Sequence, residues 1–335
     1  ILPIPLHELG HVLVGRLMNF RIFAGFIGVG QPVLKARRFG IQWELRQIPL
    51  GGATLMGSPD GQHYRLRRFI AILAGPAVHA ALCGLSLLYY LTPLARLVHP
   101  WVNILVSCFL WVNLVLLVIN LFPHKVGSGY GQIGSDGLQM IEILGMPQAK
   151  VDEHLSHYDL MDAIDAINRE DLQAASTAVQ EGLKRNPTSE QMINVRGVIE
   201  LSRGEIGRSR ATFVELLEAR PNLQPEMKYL LQNNIACTNI YLDDPALLPQ
   251  ADAFSAEAYQ NAPWQPEFSG TRGAVLIELG QVDEGLPLVQ DAMQKAVTAH
   301  SKALDACFVA IGEARRGNAA EARRYLDAAR QLDPD

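Results

Sequence analysis

Hydrophobic and polar positions follow two different rhythms along this 335-residue chain. Up to about residue 149 the apolar residues come in long unbroken runs; beyond it they recur every three or four positions. No charged residue stands between Phe69 and Ala95, nor between Leu97 and His124. About 20 apolar residues cross a hydrocarbon core of about 30 Å as a helix, so each run predicts a membrane span. Residues 1–18 read as the inner end of another span, closing at Arg16 and Asn19. The chain opens at Ile1 within an apolar run and without methionine, so this first span is expected to be half present. Residues 22–56 differ, with short runs, glycines and alternation at Gln42–Ile48, and predict two or three short strands with a turn at Arg37–Gly40.

The second half reads as a helical array. Pro187 and Pro221 each close an amphipathic helix and lie 34 residues apart. The break positions Gly204, Asp244, Gly280 and Gly317 recur at 36 to 40 residues, each followed by a second helix of similar pattern. That period predicts an all-α, tetratricopeptide-like solenoid of about four repeats. The expected fold is therefore a multi-span α-helical membrane domain with a small membrane-associated β region (1–149), followed by the solenoid (150–335).

Charge sharpens this division. Residues 1–149 carry eleven Lys/Arg against five Asp/Glu, whereas residues 150–335 carry eighteen against twenty-nine. The second half offers no basic face for a nucleic acid. Nine basic residues from Arg16 to Arg68 flank one side of the spans and Arg96 alone the other, which orients the glycine-rich strands and the end of the first helix toward the cytoplasm. Cys83, Cys108, Cys237 and Cys307 show no paired spacing and read as free buried thiols of a reducing compartment. Tyr89, Tyr90, Trp101 and Trp111 read as interface or core aromatics.

Candidate chemistry begins at His7-Glu8-Leu9-Gly10-His11. Residues four apart lie above one another on a helix, so His7 and His11 could hold one zinc ion, and Glu8 beside it could take a proton from water. Ionisable residues inside an apolar helix are costly and usually functional. A zinc site needs a further ligand, and chain parity returns the third span to the same side. Asp136, heading a predicted helix at Gly137–Leu144, is there either as that ligand or as a helix cap. Gly129, Gly131 and Gly134 match a dinucleotide fingerprint, but no βαβ unit surrounds them, and the stretch reads as a flexible loop.

Taken together, residues 1–149 resemble the site-2 protease family of intramembrane zinc metalloproteases, closest to the bacterial branch that cuts membrane-bound anti-sigma factors. The likeness rests on HELGH at 7–11, Ile48-Pro49-Leu50-Gly51-Gly52, Ala74-Gly75-Pro76-Ala77-Val78-His79, and Asn120-x-x-Pro123 followed by Asp136-Gly137. It implies one zinc per chain on His7, His11 and Asp136, with Glu8 as general base. Asn120 would hold the substrate backbone, and Gly51, Gly52 and His79 would also face substrate. The edge of the strands at 41–56 would receive the unwound substrate as an added strand. His79 stands where the family has Asn, twelve residues separate Pro123 from Asp136, and no PDZ-like domain is present. The expected partners are single-span membrane proteins, the bilayer, and a protein or peptide on the repeats; the expected location is a bacterial inner membrane. Two other readings are an idle scaffold whose repeats bind partners, and a repeat-bearing peptidase of misfolded envelope proteins with Glu142 as third ligand.

Overall fold

The computed structural model describes residues 2–128, 131–296 and 298–333. Contacts divide the chain into two compact units, 1–161 and 162–335. The first contains α1 (Pro3–Leu17), β1 (Arg21–Arg38), β2 (Ile41–Gly57), α2 (Tyr64–Leu91), α3 (Leu94–Leu97) and α4 (Pro100–Leu121). It continues with β3 (Lys125–Ser128), β4 (Gly131–Gly134), α5 (Asp136–Leu144) and most of α6 (Gln148–Ile167).

α1 starts with prolines in its first turn, where a missing N–H costs nothing, and stops at Asn19, whose φ of 63° lies in the left-handed region. α2 and α4, at 28 and 22 residues, are long and apolar enough to cross a membrane by length and composition. α1, at 15 residues, is shorter than such a span, so two described helices meet that test where three spans were expected. The four cysteines are free, but burial holds only for Cys83; Cys237 and Cys307 are half-buried and Cys108 is exposed on α4.

Instead of two or three short strands, residues 21–57 form two long ones that curl on themselves. The hairpin turns at Phe39-Gly40, with left-handed φ of 54° and 75°. Gln42–Leu45 pairs on both sides, with Leu34–Arg37 and with Ala24–Ile27. Among the described residues, Gly52–Gly57 pairs on one side only, with Arg21–Ile27. The stretch expected to be a loop before Asp136 contains an antiparallel hairpin, β3 with β4, in which Lys125 faces Gly134. Gly129 and Tyr130 lie outside the described residues.

One buried cluster ties these elements together: Val12 of α1, Ile22 and Ile41 of the strands, Tyr64 of α2, Ile143 of α5, and Val151 and Leu155 of α6. Thus the first half of α6 packs as part of the first unit.

The second unit is a series of helix pairs. α7 (Leu172–Arg185) precedes α8 (Glu190–Ser202) with α9 (Ile206–Ala219), and α10 (Pro225–Tyr241) with α11 (Leu248–Asn261). α12 (Pro266–Glu278) with α13 (Val282–Lys295) and α14 (Ala299–Arg315) with α15 (Ala319–Leu332) complete it. Small residues let each pair close. A Cβ on Gly197 would lie 2.4 Å from Phe213, and one on Gly273 would lie 2.6 Å from the Gly285 carbonyl. Gly204, Gly280 and Gly317 make the turns between paired helices with left-handed φ of 75° to 84°. In the α10–α11 pair that conformation falls on Asp243 rather than Asp244, whose carboxylate accepts from Ala246 N to start a 3-10 turn. The fold is thus a mostly helical protein with two apolar helices and a tetratricopeptide-like region.

Candidate metal centre

α1 and α2 approach closely at Gly10, where a Cβ would meet Val78 at 2.8 Å and the Ala74 carbonyl at 2.9 Å. This contact buries one face of α1, including His7, Glu8 and His11, all at most 6% exposed, while Leu9 and Leu13 stay outside. One stripe of α2 then faces the histidines, at spacings of four: Ala71, Gly75 and His79. The Ala71 carbonyl lies 2.9 Å from His11 Nδ1. A carbonyl only accepts, so Nδ1 carries the proton and Nε2 presents a lone pair inward. Gly75 leaves the space: a Cβ there would sit 2.3 Å from His11 Nε2 and 2.6 Å from His7 Cε1.

Asp136 closes the site from α5. Its expected alternative role as a cap is taken by its neighbour, because Ser135 is the N-cap and its Oγ accepts from Leu138 N. Ser135 Oγ also donates to the Phe122 carbonyl at 2.7 Å, fixing the start of α5 against the end of α4. Gly137 permits that approach, since a Cβ there would overlap the Leu121 carbonyl at 1.9 Å. The carboxylate is left free, and its Oδ2 stands 3.1 Å from His7 Nε2 and 3.4 Å from His11 Nε2.

These three atoms make a triangle suited to a metal. The third side, between His7 Nε2 and His11 Nε2, is 3.1 Å. Bonds of about 2.0–2.1 Å at tetrahedral angles would separate zinc ligands by about 3.3 Å. Asp136 Oδ2 is buried and has no hydrogen-bond donor, as expected of an oxygen awaiting a cation. Among the described residues, His7, His11 and Asp136 are the one group of three or more His, Cys, Asp or Glu residues so converged. Nitrogen and carboxylate donors fit zinc.

Glu8 lies against β2. Thr54 Oγ1 donates to its Oε2 at 2.7 Å, and a Cβ on Gly52 would fall 2.5 Å from its Oε1. The carboxylate is therefore wedged between the histidine helix and the singly paired segment 52–57. Gly51 is exposed, with φ of 81°, and touches nothing that a Cβ would meet. Asn120 donates to the Leu116 carbonyl one turn back, and no hydrogen bond joins it to the three converging residues. His79 is 1% exposed and faces the His7 ring at 4.9 Å, outside the converging group. Glu142 is exposed and stands apart from that group.

Three neighbours of the site escaped the sequence reading. Thr54 and Ser135 carry no pattern of their own. Asn113 does: it is an amide within the apolar run of α4, where polar groups are a signal of function, and unlike Asn103 and Asn120 of the same helix it is fully buried.

The space at Gly75 gives a direct expectation. Gly75→Ala should reduce zinc affinity by more than tenfold, measured by chelator competition. Gly84→Ala, on the same helix with nothing within 4 Å of the new methyl, should leave it unchanged.

Peptidase family M50 matches residues 1–214. A protein of Neisseria meningitidis serogroup A, provisionally named a zinc metalloprotease, is 32% identical over 109 residues, covering 27% of this chain and 24% of that one. The chain thus spans about a quarter of the length of the curated relative it matches. Among solved structures, a TPR protein of Thermus thermophilus is similar at 18% identity, covering 54% of this chain and 92% of that one, with a TM-score of 0.41. PilW, a type IV pilus biogenesis factor, is similar at 17% identity over 59% and 84%, with a TM-score of 0.39. With its family match extending over more than half of its length, the chain belongs to peptidase family M50, the site-2 protease family of metallopeptidases.

Proposed function

We propose that the protein is an integral-membrane zinc endopeptidase that cuts membrane-spanning segments of other proteins. The observation that carries this reading is the position of Glu8, between the His7–His11–Asp136 triangle and the singly paired strand Gly52–Gly57. Those three residues would hold one zinc per chain, which when bound would supply a Lewis acid to acidify water and polarise a carbonyl. Glu8 takes the proton from the attacking water and delivers it to the departing amide nitrogen. Thr54 holds the carboxylate's other oxygen in place.

Substrate presentation follows from the strands. A helical substrate hides its peptide bonds, whereas pairing along 52–57 exposes them in extended form beside Glu8. Gln42–Leu45 is paired on both sides, so the receiving edge narrows from 41–56 to the segment after Gly51. Gly52 keeps side-chain bulk away from Glu8, and Asn120 contributes to holding the substrate backbone.

The bilayer reading rests on α4, of whose apolar window only 6% is buried, with Trp101, Leu105, Trp111 and Val118 on the outside. Such a surface requires lipid or a partner. Arg65, Arg67 and Arg68 at the start of α2 favour a cytoplasmic side for the metal centre, and a bacterial inner membrane fits. The repeat unit would then dock a substrate or a regulatory protein.

The test is a reconstituted one. In proteoliposomes, single-span proteins with helices weakened by glycine or proline should be cut within the membrane, and 1,10-phenanthroline should stop the reaction until zinc is restored. Cleavage that persists without zinc, or a zinc-loaded chain that cuts no span, would refute the assignment.

A further inference from the structure

His7 and His11 are not held alike. His11 is fixed through Nδ1 by the Ala71 carbonyl, whereas His7 Nδ1 is buried without a hydrogen-bond partner. Ligating histidines ordinarily donate their second N–H to an oxygen that sets the ring's orientation. For His7 that oxygen is missing among the described residues, and rings surround it instead. His11 meets it edge-on at 4.7 Å, and His79 covers it at 4.9 Å with planes 31° apart.

His79 is in turn held firmly. Its Nδ1 is 2.9 Å from Asn113 Oδ1. The Asn113 amide nitrogen donates to the Phe109 carbonyl at 2.8 Å, which fixes the amide's orientation and leaves Oδ1 to accept. His79 Nδ1 therefore carries the proton. Both side chains are buried, at 1% and 0% exposure, so neither is free to turn toward water.

We propose that His79 and Asn113 form a two-residue support from α2 and α4 that orients the His7 ring for zinc. On this reading His79 is a positioning residue: it acts through His7 and touches neither metal nor substrate. The inference rests on the zinc assignment above and accounts for a histidine that would otherwise be a buried polar group in an apolar helix. It also explains why Asn113 interrupts the apolar run of α4.

The test reads zinc affinity of the full chain in detergent by competition with a chelator, independently of proteolysis. His79→Ala and Asn113→Leu should each weaken binding about tenfold, the lower end of the range for loss of an outer partner. Combining them should add little, because both remove one support. His79→Phe together with Asn113→Leu restores a flat ring packed on an apolar neighbour, and should bind within about threefold of the unaltered chain. Melting curves identify any variant that fails to fold, and Asn113→Leu, the milder change, then carries the comparison. Affinity unchanged in His79→Ala and Asn113→Leu would overturn the proposal, as would an apolar pair as weak as either single variant. An unaltered chain that binds no zinc would instead bring down the zinc assignment itself, so the two failures are distinguishable.

Discussion

Glu8→Gln should lower cleavage of a membrane-spanning substrate by about a thousandfold, within the range for loss of a positioned general base, while zinc stays bound. The amide has the same shape as the carboxylate, so the close approach of Gly52 is preserved. Its oxygen can still accept from Thr54 Oγ1, which now donates to Glu8 Oε2. What it loses is the ability to take up a proton. Glu8 lies outside the converging metal group, so zinc content should match that of the unaltered chain. Unchanged turnover in this variant would remove Glu8 from the chemistry.

Asp136→Ala should act on the metal instead. It removes one of three donors, and zinc affinity should fall by more than a hundredfold, beyond the loss expected for an outer partner. The protein should remain folded, because α5 is capped by Ser135 and anchored to the Phe122 carbonyl. Chelator competition measures the first effect and a melting curve the second. Retained affinity would mean that another group completes the site.

The histidine pair was legible from spacing alone, since helical geometry dictates that residues four apart share a face. The repeats were legible from recurring breaks, because glycine relieves the strain of a left-handed turn; Asp243 evaded this reading since an L-residue can occupy that conformation too. Asp136 was visible only as one of two alternatives. Setting the cap reading aside needed to know that Ser135 caps the helix, which depends on local backbone angles.

Other features depend on contacts distant in sequence. Gly52 and Thr54 meet Glu8 across more than 40 residues, and no period in the chain announces it. The curl that pairs Ala24–Ile27 with two segments gives long strands where short runs and glycines suggest short ones. The hairpin before Asp136 is another such case, as its glycine-rich sequence reads equally as loop. His79 was singled out by its place in the sequence, but its direction toward His7 and Asn113 emerges only when α1, α2 and α4 are packed together.

The central claim is that His7, His11 and Asp136 hold one zinc ion. X-ray absorption at the zinc edge, on purified protein of measured metal content, tests it most directly. One zinc per chain is expected, with a shell of nitrogen and oxygen at about 2.0–2.1 Å and the scattering of two imidazoles. Sulfur near 2.3 Å, which would implicate the cysteines, or an imidazole count other than two would contradict it.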